Sequence, residues 1–141
     1  MGGENLLITR EMDYALRILR ALSGGGRMSA SEICERELLP RQFVYKILKK
    51  LERAGVVQTT RGAEGGCRLV ADLHQLSLYD LREIMEAEKM ISACMQPGFQ
   101  CAWQQKYGSS CTVHRHLVKI QKVLDQELRS HSLHQMLFER D

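Results

Sequence analysis

Residues 40–70 read PRQFVYKILKKLERAGVVQTTRGAEGGCRLV, and this stretch decides the fold. Pro40 suits the first turn of a helix, where its fixed backbone angle helps and its missing N–H costs nothing. Gly55 suits the residue just past the last turn. Between them Phe43, Val44, Ile47, Leu48 and Leu51 recur at helical spacing as an inner face. Arg41, Gln42, Tyr45, Lys46, Lys49 and Arg53 are left to point outward. Residues 56–60 then read as a strand, 61–66 as a glycine-rich turn and 67–70 as the returning strand.

Working upstream, Thr9 caps a first helix with the stripe Met12, Ala15, Leu16, Leu19 and Leu22, which Gly24-Gly25-Gly26 ends. Ser29 with Glu32 three residues on is a capping box for a short second helix through Ile33 and Cys34. Two short helices, a tight connection and a third helix with a polar, basic outer face make a helix-turn-helix, and its last helix has the size of a major groove. A hairpin directly after that helix is a wing, whose glycines allow close approach to a sugar-phosphate backbone. The expected DNA-facing residues are Arg41, Gln42, Tyr45, Lys46, Lys49, Arg61, Gly62, Gly65 and Gly66.

Charge agrees with this placement. The 141-residue chain carries a net charge of only +3. Between Arg41 and Arg68, however, seven basic residues stand against Glu52 and Glu64, a local net charge of +5, and the remainder is slightly acidic. A phosphate backbone attracts such a segment. The length fits one compact domain with an appendage, and no apolar run is long enough to span a bilayer. The N-terminus lacks a basic flank followed by an apolar stretch, so a cytoplasmic location is expected, with thiols kept reduced.

Downstream, Ser77 and Asp80 open a fourth helix through Leu78, Leu81, Ile84 and Met85. A loop carrying Cys94, Cys101 and Cys111 follows, with His114 one helical turn beyond. A long helix then begins near Thr112 or Val113. Its apolar positions Val113, Leu117, Ile120, Leu124 and Leu128 form a narrow seam that suits dimerisation. Ser132 and Gln135 cap a last short helix through Met136, Leu137 and Phe138. The expected division is a winged helix-turn-helix domain over 1–90, a sensor loop over 91–112, and a dimerisation helix with a short terminal helix over 113–141. The expected fold class is mainly α with a small β-wing.

Thiolates are soft ligands suited to iron-sulfur clusters, zinc or copper(I). The intervals between these cysteines are long and none is the Cys-x-x-Cys of a zinc ribbon, which favours a wider object such as a multi-iron cluster. Pro97, Gly98 and Gly108 supply the bends for a loop folded around it. Cys34 and Cys67 sit in apolar periodic segments and read as small buried hydrophobes.

The chain resembles the winged-helix iron-sulfur and redox-sensing transcriptional regulators, a family that includes IscR, NsrR and CymR. The likeness rests on ITREMDYALR at 8–17, LERAGVV at 51–57, RGAEGGCRL at 61–69, LYDL at 78–81, and the three-cysteine loop before a long helix. It implies a homodimer on a double-stranded DNA operator, acting as repressor or activator, with no membrane and no small-molecule substrate. It further implies a [2Fe–2S] or [4Fe–4S] cluster on Cys94, Cys101 and Cys111. The fourth ligand stays open between His114, the IscR-like position, and Asp13, which NsrR-like proteins supply from the opposite subunit. Gln42 and Tyr45 align with the base-reading positions of the family. The cysteine intervals here are longer than those of its best-known members.

Other readings stay open: a cluster-free thiol redox sensor or a partner-controlled regulator on the same fold, and more remotely a small metal-binding electron carrier or enzyme. Against an enzyme, the chain lacks a nucleotide-binding glycine motif and a recognisable Ser-His-Asp or Cys-His constellation.

Overall fold

The structure, a computed structural model, describes residues 6–63 and 65–140. Residues 1–5 of the terminus read above, and Glu64 of the turn, lie outside the described residues. Helix α1 spans Arg10–Leu22. Thr9 Oγ1 accepts from the Met12 amide at 3.2 Å, giving one orphan donor of the first turn a partner. Helix α2 covers Ala30–Glu37 behind the Ser29–Glu32 capping box. The chain then reverses at Leu38, a left-handed residue with φ of 58°. Pro40 stands as the cap of α3, Arg41–Arg53, one position earlier than the sequence places it. Met12, Ile18, Leu19, Leu22, Ile33, Val44, Ile47 and Leu51 are all at most 1% exposed, so the inner faces of the three helices share one core.

Strands β1, Val57–Thr60, and β2, Gly66–Leu69, form an antiparallel pair in the register Val57↔Leu69 to Thr60↔Gly66. The fold is therefore mostly helical with a two-stranded wing, as the sequence leads one to expect. Met28 pairs with Cys67 across the base of β2, with N–O distances of 2.9 and 2.7 Å, which ties the wing to the start of α2.

Helix α4, Leu78–Ile84, carries the expected Ser77–Asp80 capping box. The cysteine loop holds more structure than its sequence signals: a 3₁₀ turn at Ala93–Met95 and a six-residue helix α5 at Ala102–Tyr107. Helix α6 runs over Thr112–Ser130 and α7 over Leu133–Phe138. The segment between them folds back on the residues that lead into α4. The Leu78 amide donates to His131 O at 2.9 Å and the Leu133 amide to Leu76 O at 2.7 Å.

This return corrects the seam expected along α6. Leu128 is 6% exposed within the chain's own core, and Leu124 packs at its edge. The large apolar side chains that α6 leaves in solvent are Val113, Ile120 and Val123, at 64, 54 and 66% exposed. The free apolar strip is thus rotated toward Val123, because the helix must also cover its own domain.

Glu11 joins α1 to α3 by accepting from Lys50 Nζ at 2.8 Å and pairing with Lys46 at 3.0 Å. Burial alone would raise its carboxyl, but the hydrogen bonds and charges of the two lysines outweigh that and hold it below its usual 4.5. A depressed carboxyl adds stability above its unfolded value, and this is lost as pH falls through the folded value. Acid titration of thermal stability should therefore fall less steeply below pH 4.5 for Glu11→Gln than for the parent, with a difference of about 1 kcal/mol.

Candidate functional site

Two groups of residues carry chemistry. The first lies where α3 meets the wing. A groove of about 850 Å³ is lined by Tyr45, Lys46 and Lys49 on one side and Arg61, Gly62, Gly65 and Gly66 on the other. Seven of the nine expected DNA-facing residues thus share one concave surface. Arg41, at the start of α3, instead donates to Ser31 Oγ at 2.8 Å, and Gln42 is exposed beside it. Neither lines the groove.

Thr59 and Thr60 also line it, and the sequence reading passed them over. Alternation along β1 would not have found both, since Val57 is buried and all three residues after it are exposed. Lys50 belongs to the basic run in sequence but not in space. It is 16% exposed and donates to Glu11 and, at 3.0 Å, to the Met85 carbonyl. Its charge is spent inside the domain.

The second group lies at the start of α6. Cys111 is the cap of this helix, and its Sγ accepts from the His114 amide at 3.4 Å. Sulfur that bears negative charge is favoured at a helix N-terminus. The 3₁₀ turn brings Cys94 to the same place, with its Sγ 3.2 Å from His114 Nδ1 and 3.2 Å from Ser92 Oγ. All three donors are half-buried. Cys101 is half-buried at the start of α5, where its side chain makes no capping bond. Among the described residues no three His, Cys, Asp or Glu side chains gather tightly enough to hold a single metal ion.

Asp13 lies elsewhere on the chain. It pairs with Arg17 at 3.2 Å and lines a hollow with Ile8, Thr9, Tyr14 and Leu38 that contains no cysteine. Cys67, as its sequence setting implies, is a buried hydrophobe at 2% exposure. Burial, with a smaller effect from Glu52, pushes its thiol up to about 11, so it does not compete as a ligand near neutral pH.

Comparison with known proteins bears on the chain as a whole. A family model described as "Rrf2: Iron-dependent Transcriptional regulator" matches residues 8–139. Protein aau3 of Rhizobium meliloti (strain 1021) is 31% identical over 93 residues, which is 64% of this chain and 60% of that protein. The match thus spans less than two thirds of that relative's length. Among solved structures, T. potens IscR superimposes with a TM-score of 0.68 at 20% identity, over 94% of this chain and 87% of that one. The global cysteine regulator CymR (YrzC) of B. subtilis does so at 0.68 and 21% identity, over 96 and 99%. No helix among the described residues is long and apolar enough to cross a membrane.

Proposed function

This chain belongs to the Rrf2 family of transcriptional regulators, which are not enzymes, and from that premise we propose a homodimer whose operator affinity is set by an iron-sulfur cluster on Cys94, Cys101, Cys111 and His114. The observation that carries the reading is the meeting of Cys94, Cys111 and His114 at the first turn of α6. The Cys94 thiol and the His114 imidazole, 20 residues apart in sequence, touch there, the Cys111 thiol caps the same turn through the His114 amide, and a third thiol lies on the same loop. The donor set fits a [2Fe–2S] or [4Fe–4S] cluster with one non-thiolate ligand. Bound there, such a cluster supplies one-electron redox chemistry and iron-sulfur bonds that oxidants or nitric oxide disrupt.

The chain's own residues do the rest. His114 and Cys111 anchor one side of the site to α6, while Cys94 and Cys101 bring the loop to it. Of the two candidate fourth ligands, His114 already faces Cys94; Asp13 would have to arrive from the opposite subunit. Val113, Ile120 and Val123 supply the apolar strip for pairing α6 with a second copy, which would space two recognition helices on a palindromic site. In each half-site Tyr45, Lys46 and Lys49 would face the major groove, while Arg61 and the wing glycines would approach the backbone.

A second reading, thiol sensing without a cluster, draws on the same contact, because a thiol beside an imidazole is set up for oxidation chemistry. Visible absorption with iron and acid-labile sulfide content, on protein purified without oxygen, decides between them. Broad charge-transfer bands with matching iron and sulfide are expected. A colourless protein that cannot be reconstituted, with DNA affinity that responds to peroxide, would select the thiol sensor.

A further inference from the structure

The buried polar groups of α6 and α4 lie outside the ligand set and outside the DNA groove. Gln121 is 4% exposed, and its amide is fully engaged. Its Oε1 accepts from the Ile91 amide at 2.8 Å, while Nε2 donates to Lys89 O at 2.8 Å and to Asp125 Oδ1 at 3.0 Å. Asp125 in turn accepts from Arg82 at 3.1 Å, and Arg82, 1% exposed on α4, also reaches Lys89 O at 3.4 Å. The backbone that Gln121 grips, at Lys89 and Ile91, is three to five residues ahead of Cys94. Gln121 lies two helical turns beyond His114, so His114, Gln121, Asp125 and Leu128 share one face of α6.

The network continues toward DNA. At the end of α4 the Met85 carbonyl accepts from Lys50 Nζ, on the recognition helix α3. Hydrogen bonds therefore run from the cysteine loop through Gln121 and Asp125 to Arg82 of α4, and the far end of α4 holds Lys50 of α3. Its chemistry is a poor choice for stability alone. Arg82 is taken out of water while its partner Asp125 stays 21% exposed, a pairing that seldom outperforms apolar packing, and among the described residues Arg82 Nε has no hydrogen-bond partner. Two charges and an amide here do what leucines do not: they fix the loop backbone in one register against α6.

We propose that Gln121, acting with Asp125 and Arg82, is the positioning residue that couples the cysteine loop to the recognition helix. The proposal rests on the sensor reading given above. When the ligands at Cys94 and His114 change, residues 89–95 move against α6, and Gln121 carries that displacement into α4 and so to Lys50. Coupling of this kind requires an element whose two arrangements both sites bias, and the clipped segment 89–91 is that element.

The test uses Gln121→Met in the full-length protein, because methionine keeps the length of the side chain and removes its hydrogen bonds. Arg82 is left in place, since its loss would strand Asp125. Hydrogen exchange is expected to quicken at least tenfold at residues 89–95, and also at 84–87, with the helical core unchanged. Binding is read on DNA selected from a random pool by the parent protein. The Kd of the apo form should stay within twofold of the parent's, while the ratio of Kd between loaded and apo forms shrinks at least fivefold toward one. A parental ratio in the variant, or exchange that quickens at 89–95 but not at 84–87, would overturn the coupling. If the parent itself shows no ratio, the sensor reading fails, and the exchange at 84–87 alone decides the coupling.

Discussion

Cys101→Ala protein purified without oxygen is expected to be colourless, with iron and sulfide at least tenfold below the parent, and to bind DNA with one fixed affinity whatever the iron supply. Of the three loop cysteines this one gives the cleanest result. Cys111 caps α6 and Cys94 contacts His114, so replacing either disturbs local structure along with ligation. Cys101 precedes a six-residue helix with no buried residue and makes no capping bond, so its removal costs the fold almost nothing. Circular dichroism and thermal stability should match the apo parent. With Cys101 gone, only two thiolates and one imidazole of the proposed set remain to hold the iron, too few to keep it against loss to solvent or oxidant. If loading changes operator affinity about a hundredfold in the parent, the variant loses about 2.7 kcal/mol of differential stabilisation. A variant that keeps its full iron and sulfide would remove Cys101 from the ligand set and turn attention to a donor supplied by the partner subunit.

The helical skeleton was legible because its signals are local. Ser29–Glu32, Ser77–Asp80 and Ser132–Gln135 each form the reciprocal bonds that their spacing calls for. The wing strands lie within one residue of their expected bounds, since the glycine-rich turn between them marks their ends. Helix α5 was missed because Ala102–Tyr107 buries no side chain and so shows no apolar period. The orientation of α6 was misread for the opposite reason. Its buried face includes Gln121, and the face it meets on α4 includes Arg82, so a pattern built on apolar residues assigns both to solvent. Leu128 then fell into the dimer seam by its spacing, although it closes the chain's own core. For the site, sequence supplied the donors and the long intervals between them. That Cys94 rather than Cys101 lies against His114 depends on the 3₁₀ turn, which no local signal announced.

Gly65→Ala should abolish most operator binding while leaving the domain folded. A methyl group at this position would collide with the Thr60 carbonyl oxygen and stand only 2.8 Å from Arg61 C and 2.9 Å from Gly62 O. These are backbone atoms, which cannot swing aside as a side chain does, so the turn itself must open. The bond from the Gly65 amide to Gly62 O, 2.9 Å long, would go with it, and the adjacent Thr60↔Gly66 pair would loosen. Arg61, Thr59 and Thr60 would then leave the groove they share with α3. The core is out of reach, because Arg61, Gly62, Ala63 and Gly65 contribute none of its buried residues. DNA affinity should fall at least thirtyfold, about 2 kcal/mol, with only a few degrees lost in Tm. Arg61→Ala gives the control. It removes one phosphate partner without moving the backbone, so it should weaken binding only severalfold and lower the salt slope by about one. Anisotropy titrations across a salt series separate the two outcomes. A Gly65→Ala protein that binds within twofold of the parent would take the wing out of the interface, leaving α3 to read the operator alone.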